Sequence, residues 1–228
     1  MKLILKSKEH LTDNIWAFRF QYPAQLSPWV PGQFMYVEIP HDNPDDEGTK
    51  RWFTVSSAPY EQHYQITTRV SDSTFKQALA AVPIGGTIDL IDPPDGDFVW
   101  EETDRPRIFI AGGIGVTPYY SILKQRFHDH LPLDVELIYG GRTPDLPFRQ
   151  EFEEWAAADP RLKIHYVIGE RLTPEKLVAL NPKLPASLVY LSGPEPLVES
   201  LGDQLKAGVV PAEQLKQDFF PNYTEANY

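Results

Sequence analysis

The chain has 228 residues, 42% hydrophobic and 23% charged, with a formal net charge of −11 and no cysteine. That length supports one large domain or two small ones, and the missing cysteine excludes disulfides, thiolate zinc sites and cysteine-ligated iron–sulfur clusters. The acidic balance argues against a nucleic-acid partner, whose phosphates it repels, and its simplest consequence is solubility. In chain order, the opening Met1-Lys2-Leu3-Ile4-Leu5-Lys6 is interrupted by charge too early for a signal peptide. No later apolar run approaches the roughly 20 residues that span a bilayer, so no membrane span and a cytoplasmic location are expected.

Short, often alternating runs over 3–5, 15–20, 34–39, 52–55, 64–70 and 87–90 read as strands, separated by Pro, Gly, Asn or Asp. Their spacing predicts a small antiparallel barrel. One helix interrupts them over 75–81, with Ser73 or Thr74 as its cap. After the charged, proline-ended stretch 101–106 the pattern changes. Strand-like runs at 108–110, 135–139, 164–168 and 188–191 alternate with helical stretches, which predicts a parallel sheet with helices on both faces. The fold class expected is therefore β plus α/β, with a boundary after residue 102. The acidic loop His41 to Lys50 reads as a solvated hairpin loop, since it has no EF-hand register. His128 and His130 stand two apart with no third ligand, so no metal site is expected.

The most specific local signal is Gly112-Gly113-Ile114-Gly115-Val116-Thr117-Pro118, directly after the apolar run Arg107-Ile108-Phe109-Ile110-Ala111. Glycines let backbone approach a ligand, and the helix that follows offers unpaired N–H groups and a partial positive charge to a phosphate. Thr117 suits the N-cap and Pro118 the first helical position. The stretch looks like a nucleotide site.

Upstream, Arg51-Trp52-Phe53-Thr54 resembles the Arg-x-Tyr-Ser/Thr signature of the ferredoxin–NADP reductase family, the flavin-dependent NAD(P)H oxidoreductases. The glycine run resembles that family's nicotinamide-nucleotide motif. Further matches follow in the family's order: Pro31-Gly32-Gln33-Phe34, Gly85-Gly86-Thr87-Ile88, Pro94-Asp95-Gly96-Asp97-Phe98 and Ser192-Gly193-Pro194. The resemblance spans nearly the whole chain. It implies an antiparallel flavin-binding β-barrel domain over 1–102 and a parallel α/β NAD(P)-binding domain over 103–228.

Carried over by position, the resemblance assigns Arg51 to a flavin phosphate, Phe53 to the isoalloxazine or ribityl chain, and Thr54 to the flavin N5. Trp52 and Thr68 count with the cofactor-binding residues. Ser71-Asp72-Ser73-Thr74 aligns with the family's pyrophosphate turn, Ser73 and Thr74 open its helix, and Arg69 adds charge; together with Arg51 this favours FAD over FMN. Gly112, Gly113, Gly115 and Thr117 would lie under the NAD(P)H pyrophosphate, with Pro118 behind them. Ser192, Gly193 and Pro194 stand where relatives have Cys-Gly-Pro beside the nicotinamide. Arg142 and Arg171 are candidates for a 2′-phosphate, while Glu170 argues the other way; NADH and NADPH stay open, with a lean to NADH. In the tail, Asp218 is expected near the active site, and Tyr223 or Tyr228 over the flavin, unless the aromatic tail simply packs on the surface. Thr54, Thr117, Ser192 and Asp218 are the expected catalytic group.

Three departures qualify the match: Phe53 lacks the usual tyrosine hydroxyl, Ser71 replaces a glycine, and Ser192 replaces a cysteine. The function implied is transfer of hydride from NAD(P)H to bound FAD, with electrons passed to a separate acceptor: a redox protein, a quinone, or a small molecule such as free flavin or a ferric chelate. An acidic ferredoxin would be repelled by the negative surface. The departures support an alternative, a nucleotide-sensing regulatory or electron-transfer subunit with little turnover of its own.

Overall fold

The computed structural model describes residues 1–23 and 28–220. Strands β1 (Lys2–Thr12), β2 (Ile15–Gln21), β3 (Phe34–Glu38), β4 (Lys50–Thr54), β5 (His63–Arg69) and β6 (Thr87–Asp95) form one sheet in the order β4-β3-β6-β1-β2-β5. Every pairing in it is antiparallel. Alternation turns Leu3, Leu5, Phe18, Phe20, Met35 and Val37 to one side, all without exposure. The sheet curls so that its two outer strands meet: the Ser56 amide donates to the Gln65 carbonyl at 2.9 Å, and the Ser57 hydroxyl to the His63 carbonyl at 2.6 Å. Helix α1 (Thr74–Ala81) stops one end of this barrel with the buried Phe75 and Leu79.

Strands β7 (Arg107–Gly112), β8 (Val135–Gly141), β9 (Leu162–Ile168), β10 (Leu188–Pro194) and β11 (Leu215–Phe220) form a parallel sheet in the order β11-β10-β7-β8-β9. Between them run α2 (Thr117–His128), α3 (Arg149–Ala158), α4 (Pro174–Leu180) and α5 (Glu195–Lys206). All six residues of β7 are buried, as a central parallel strand covered on both faces requires. One face packs Phe109, Tyr119, Leu137 and Phe152, and the other Ile108, Ile110, Val189 and Leu205.

Two elements depart from the sequence reading. β1 runs well past residue 5, carried through irregular pairing near Ser7 and Thr12 by its ladder with β2. The segment 215–220, read from sequence only as a tail, is a strand. Its polar centre lacks alternation, but the open edge of β10 supplies a complete ladder, from Val189 opposite Leu215 to Pro194 opposite Phe220.

Strand order reverses between β7 and β10, which makes the crevice beyond their carboxyl ends the place where such sheets receive ligands. Helix α2 brings that crevice to the barrel. The Ser121 hydroxyl donates to the Ser57 carbonyl at 2.7 Å, and Lys124 pairs with Glu61 at 2.8 Å. Among the described residues no helix is long and apolar enough to cross a membrane.

Candidate functional site

A cavity of about 410 Å³ lies where the two sheets meet. Strand β4 contributes Arg51, Trp52, Phe53 and Thr54, and β5 contributes Thr67 and Thr68. The turn before α1 adds Ser71 and Ser73, while Ile114, Thr117 and Phe220 come from the parallel sheet. Residues as far apart as Asp45 and Phe220 thus share one wall because β4, the turn before α1, the glycine turn and the end of β11 converge.

One corner of this cavity is an anion cradle. Arg51 Nη2 donates to Asp45 Oδ1 at 2.9 Å, and the Thr74 amide and Ser73 hydroxyl donate to Asp45 Oδ2 at 3.0 and 3.3 Å. The amide belongs to the first turn of α1, where N–H groups lack helical partners. Burial raises the Asp45 carboxyl, but the Thr74 amide and hydroxyl and the Arg51 guanidinium outweigh it and hold it below the ordinary carboxylate value. Ser73 thus flanks the helix without capping it, its hydroxyl turned to Asp45.

Arg51 is further committed. Its Nη1 donates to the carbonyls of Glu47, Gly48 and Lys50 at 2.7, 3.2 and 2.7 Å. The Glu47 carboxylate lies 2.8 Å from Nε but off the N–H axis, so that contact is one of charge without a hydrogen bond. The sequence reading of 41–50 as a solvated acidic loop holds for the exposed residues 42–44, 46 and 47, while Asp45 is half-buried and Asp45, Asp46 and Glu47 border the cavity. The signal was a cluster of acids six positions or fewer before an arginine, a pattern that composition alone assigns to solvent.

Other expected residues divide. Thr54 and Thr68 are buried in the cavity wall, at 4% and 1% exposure. Phe53 reaches the wall but packs mainly in the barrel core, its ring 5.8 Å from that of Phe75. Trp52 is the exposed aromatic at the cavity, stacked on Tyr36 at 4.3 Å. Arg69 does not line the cavity; it turns to the β1–β2 hairpin, pairing with Asp13 at 2.9 Å and hydrogen bonding to Asn14.

At the glycine turn, Gly112 ends β7 and Gly113 has φ of +50°, a left-handed value that favours glycine. Residues 113–116 form a 3₁₀ turn that runs directly into α2, so Thr117 is the first helical residue and Val116 precedes it. Thr117 as N-cap and Pro118 as first helical residue are thereby corrected, because the extra turn absorbs the donors a cap would serve. The Thr117 hydroxyl donates to the Ile114 carbonyl at 3.1 Å. A Cβ at Gly115 would lie 2.4 Å from the Ser192 carbonyl oxygen and 2.5 Å from Gly193 Cα. That close approach packs the turn against the end of β10.

Ser192 is fully buried, and its hydroxyl donates to Asp218 Oδ2 at 3.3 Å, the two residues being opposite each other in the β10–β11 ladder. Burial pushes the Asp218 carboxyl up to about 7, with Ser192 lowering it in part and Asp97 raising it. The folded state therefore holds a proton that the unfolded chain releases near pH 4, and stability falls as pH rises from about 4 to 7. Asp218→Asn should remove this penalty. Its melting temperature relative to the parent should rise between pH 5 and pH 8, by the equivalent of up to about 3 kcal/mol. Equal differences at both pH values would show that Asp218 ionises normally. Tyr223 and Tyr228 lie outside the described residues.

A second cavity of about 770 Å³ opens beyond the carboxyl ends of β8, β9 and β10. Gly140, Gly141, Arg142, Glu170, Arg171 and Pro194 line it, with Ser200 and Gln204 of α5. Glu170 also pairs with Lys176. A Cβ at Gly193 would lie 3.3 Å from the Gly112 carbonyl oxygen, so the ends of β7 and β10 approach closely there.

The Oxidoreductase NAD-binding domain family matches residues 109–202, the span holding the glycine turn and the β10 end. Flavohemoprotein A of Dictyostelium discoideum is 25% identical over 240 residues, covering 96% of this chain and 60% of that protein. The flavohem-like FAD/NAD binding domain of nitric oxide dioxygenase from Vibrio cholerae superposes with a TM-score of 0.79 at 20% identity, covering 96% of this chain and 98% of that one. The chain resembles the ferredoxin–NADP reductase-like flavoproteins in sequence and shares their fold. Ferredoxin–NADP⁺ reductase from Plasmodium falciparum shares the fold of this chain, with a TM-score of 0.76 at 17% identity over 96% of the chain and 95% of that one. The chain spans 53–60% of the length of three curated flavohemoproteins that it matches. Its antiparallel barrel followed by a parallel α/β sheet is the two-part fold of this family.

Proposed function

We propose that the chain takes hydride from NAD(P)H onto bound FAD and passes the electrons to a separate acceptor. The carrying observation is the shared cavity: a donor set built for an anion at one end, and the glycine turn of the parallel sheet at the other. That Arg51, Ser73 and the Thr74 amide already converge on a carboxylate supports their fit to a flavin phosphate, which presents similar acceptor oxygens. FAD there would supply a two-electron acceptor able to release electrons singly.

In this reading residues 1–102 form the flavin domain and 103–228 the NAD(P) domain. Arg51, Ser73 and Thr74 hold the diphosphate, Trp52 offers an aromatic face, and Thr54 and Thr68 orient the ring system. Gly112, Gly113 and Gly115 allow backbone approach to the dinucleotide, and Thr117 fixes the turn through Ile114. Ser192 and Asp218 border the nicotinamide, and the buried Asp218 carboxyl holds a proton near neutral pH. Arg142 and Arg171 reach the adenosine end in the second cavity, where Glu170 leads us to favour NADH. The acceptor is another redox centre, such as the haem that related flavohemoproteins are named for, a quinone or a small molecule. A cytoplasmic location fits a chain without cysteine and a reaction that consumes NAD(P)H.

The test is the visible spectrum of the purified protein, followed by anaerobic addition of NADH and NADPH separately. Yellow protein bleached by one nucleotide is the expected result. Flavin that stays oxidised with both would favour the nucleotide-sensing alternative, and protein that takes up no FAD would overturn the reading. Thr54→Ala should retain FAD but be reduced about tenfold more slowly, the effect of one lost hydrogen bond in the reacting geometry. Stopped-flow reduction at the parent rate would refute that role.

A further inference from the structure

The cradle assigned to the flavin phosphate is filled by the chain's own acidic loop. Asp45 reproduces what a phosphate would do there: one oxygen takes Arg51 Nη2 at 2.9 Å, the other the Thr74 amide at 3.0 Å and the Ser73 hydroxyl at 3.3 Å. The loop is also latched from behind. The Asp45 amide donates to Thr74 Oγ1 at 2.9 Å, and the same oxygen meets His41 Nε2 at 3.1 Å. Arg51 also contacts Glu47, Gly48 and Lys50 of this loop. The cluster rests on the end of the barrel, with the Arg51 guanidinium 5.2 Å above the ring of Phe75, which closes the core together with Leu79.

We propose that Asp45 is a built-in competitor for the phosphate end of the cofactor, a carboxylate that holds the cradle closed until a phosphorylated flavin displaces it. The proposal rests on the flavin reading above. Two anions cannot share Arg51 and the Thr74 amide, so each phosphate that binds must expel the carboxylate and swing 45–47 outward. The consequence is cofactor discrimination of an unusual kind. Phosphorylated flavins bind more weakly than the cradle's donor set alone would give, while riboflavin, which has no phosphate, is unaffected.

The experiment compares FAD, FMN and riboflavin binding, by flavin fluorescence, to the full chain and to Asp45→Asn and Asp42→Asn. Asp42 carries a charge on the same loop but does not line the cavity. Asp45→Asn should bind FAD and FMN at least tenfold more tightly, with riboflavin changed less than twofold and Asp42→Asn close to the parent. Unchanged or weaker FAD binding by Asp45→Asn overturns the competition, as does an equal gain for riboflavin or for Asp42→Asn. A second measurement needs no variant: hydrogen exchange of the 41–50 segment in the parent should speed up when FAD binds and stay constant with riboflavin. Slower or unchanged exchange with FAD overturns the proposal. A parent protein that binds neither FAD nor riboflavin overturns the flavin reading itself, and the competition with it.

Discussion

Arg51→Ala should purify without flavin, with the dissociation constant for FAD raised about 100-fold. The side chain is 12% exposed, so its contacts are made in a poorly solvated corner where charge-assisted hydrogen bonds contribute about 1.5–3 kcal/mol each. Losing about 3 kcal/mol of phosphate contact is roughly a 100-fold loss of affinity. The variant also leaves Asp45 and Glu47 facing the diphosphate without their counter-charge, which adds repulsion in the same direction. Arg51→Lys should fall between, since an ammonium keeps the charge but cannot span the three loop carbonyls and the anion together. The ratio of flavin to protein absorbance after purification, with an FAD titration, reads both. Full flavin in Arg51→Ala would remove Arg51 from the site.

Gly115→Ala should carry the largest stability loss of any single methyl addition in the nucleotide half. The new Cβ would meet the Ser192 oxygen at 2.4 Å, Gly193 Cα at 2.5 Å and Gly193 N at 2.6 Å, all of them backbone atoms at the end of a buried strand. No rotamer relieves such a clash, so β10 and the turn after β7 must separate. Overpacking of this kind costs about 3 kcal/mol, a fall of about 6–12 °C in melting temperature for a chain of this size. The same movement should weaken NADH binding, because it opens the crevice between β7 and β10. Gly208→Ala is the matched control, with nothing within 4 Å of its Cβ, and should melt within about 2 °C of the parent. Equal melting of the two variants would show that the turn and strand do not pack as described.

Much of the architecture was legible because it rests on local pattern. Alternation over 15–20 and 34–39 and the unbroken apolar run 108–111 each dictate a strand whatever surrounds them. Strand β11 was illegible because Lys216, Gln217 and Asp218 carry no period; the partner edge of β10 makes it a strand. Of the site, the glycine turn and Arg51 to Thr54 could be read as motifs, since their chemistry is written in consecutive residues. Arg69 could not be placed: it stands beside the turn before α1 in sequence, but the β2–β5 ladder points it at Asp13 and Asn14. Phe53 likewise follows the alternation of β4 into the barrel core, whereas its neighbour Trp52 meets the cavity.

The sequence by itself determined a two-part fold, antiparallel strands first and alternating strands and helices after, and placed the glycine turn and the Arg51 to Thr54 run within it. These follow from periodicity, glycine and the chemistry of single side chains, which need no knowledge of distant contacts. Only the tertiary structure decided which charges meet. Asp45 and Thr74 are 29 positions apart and Ser192 and Asp218 are 26 apart, and each pair is brought together by a chain reversal that no local pattern encodes. A hydrogen-bonded charge contact needs its heavy atoms within about 3 Å, a proximity that only the folded chain creates. An acidic loop that reads as solvent-facing is therefore free to become the anion in a cofactor's place.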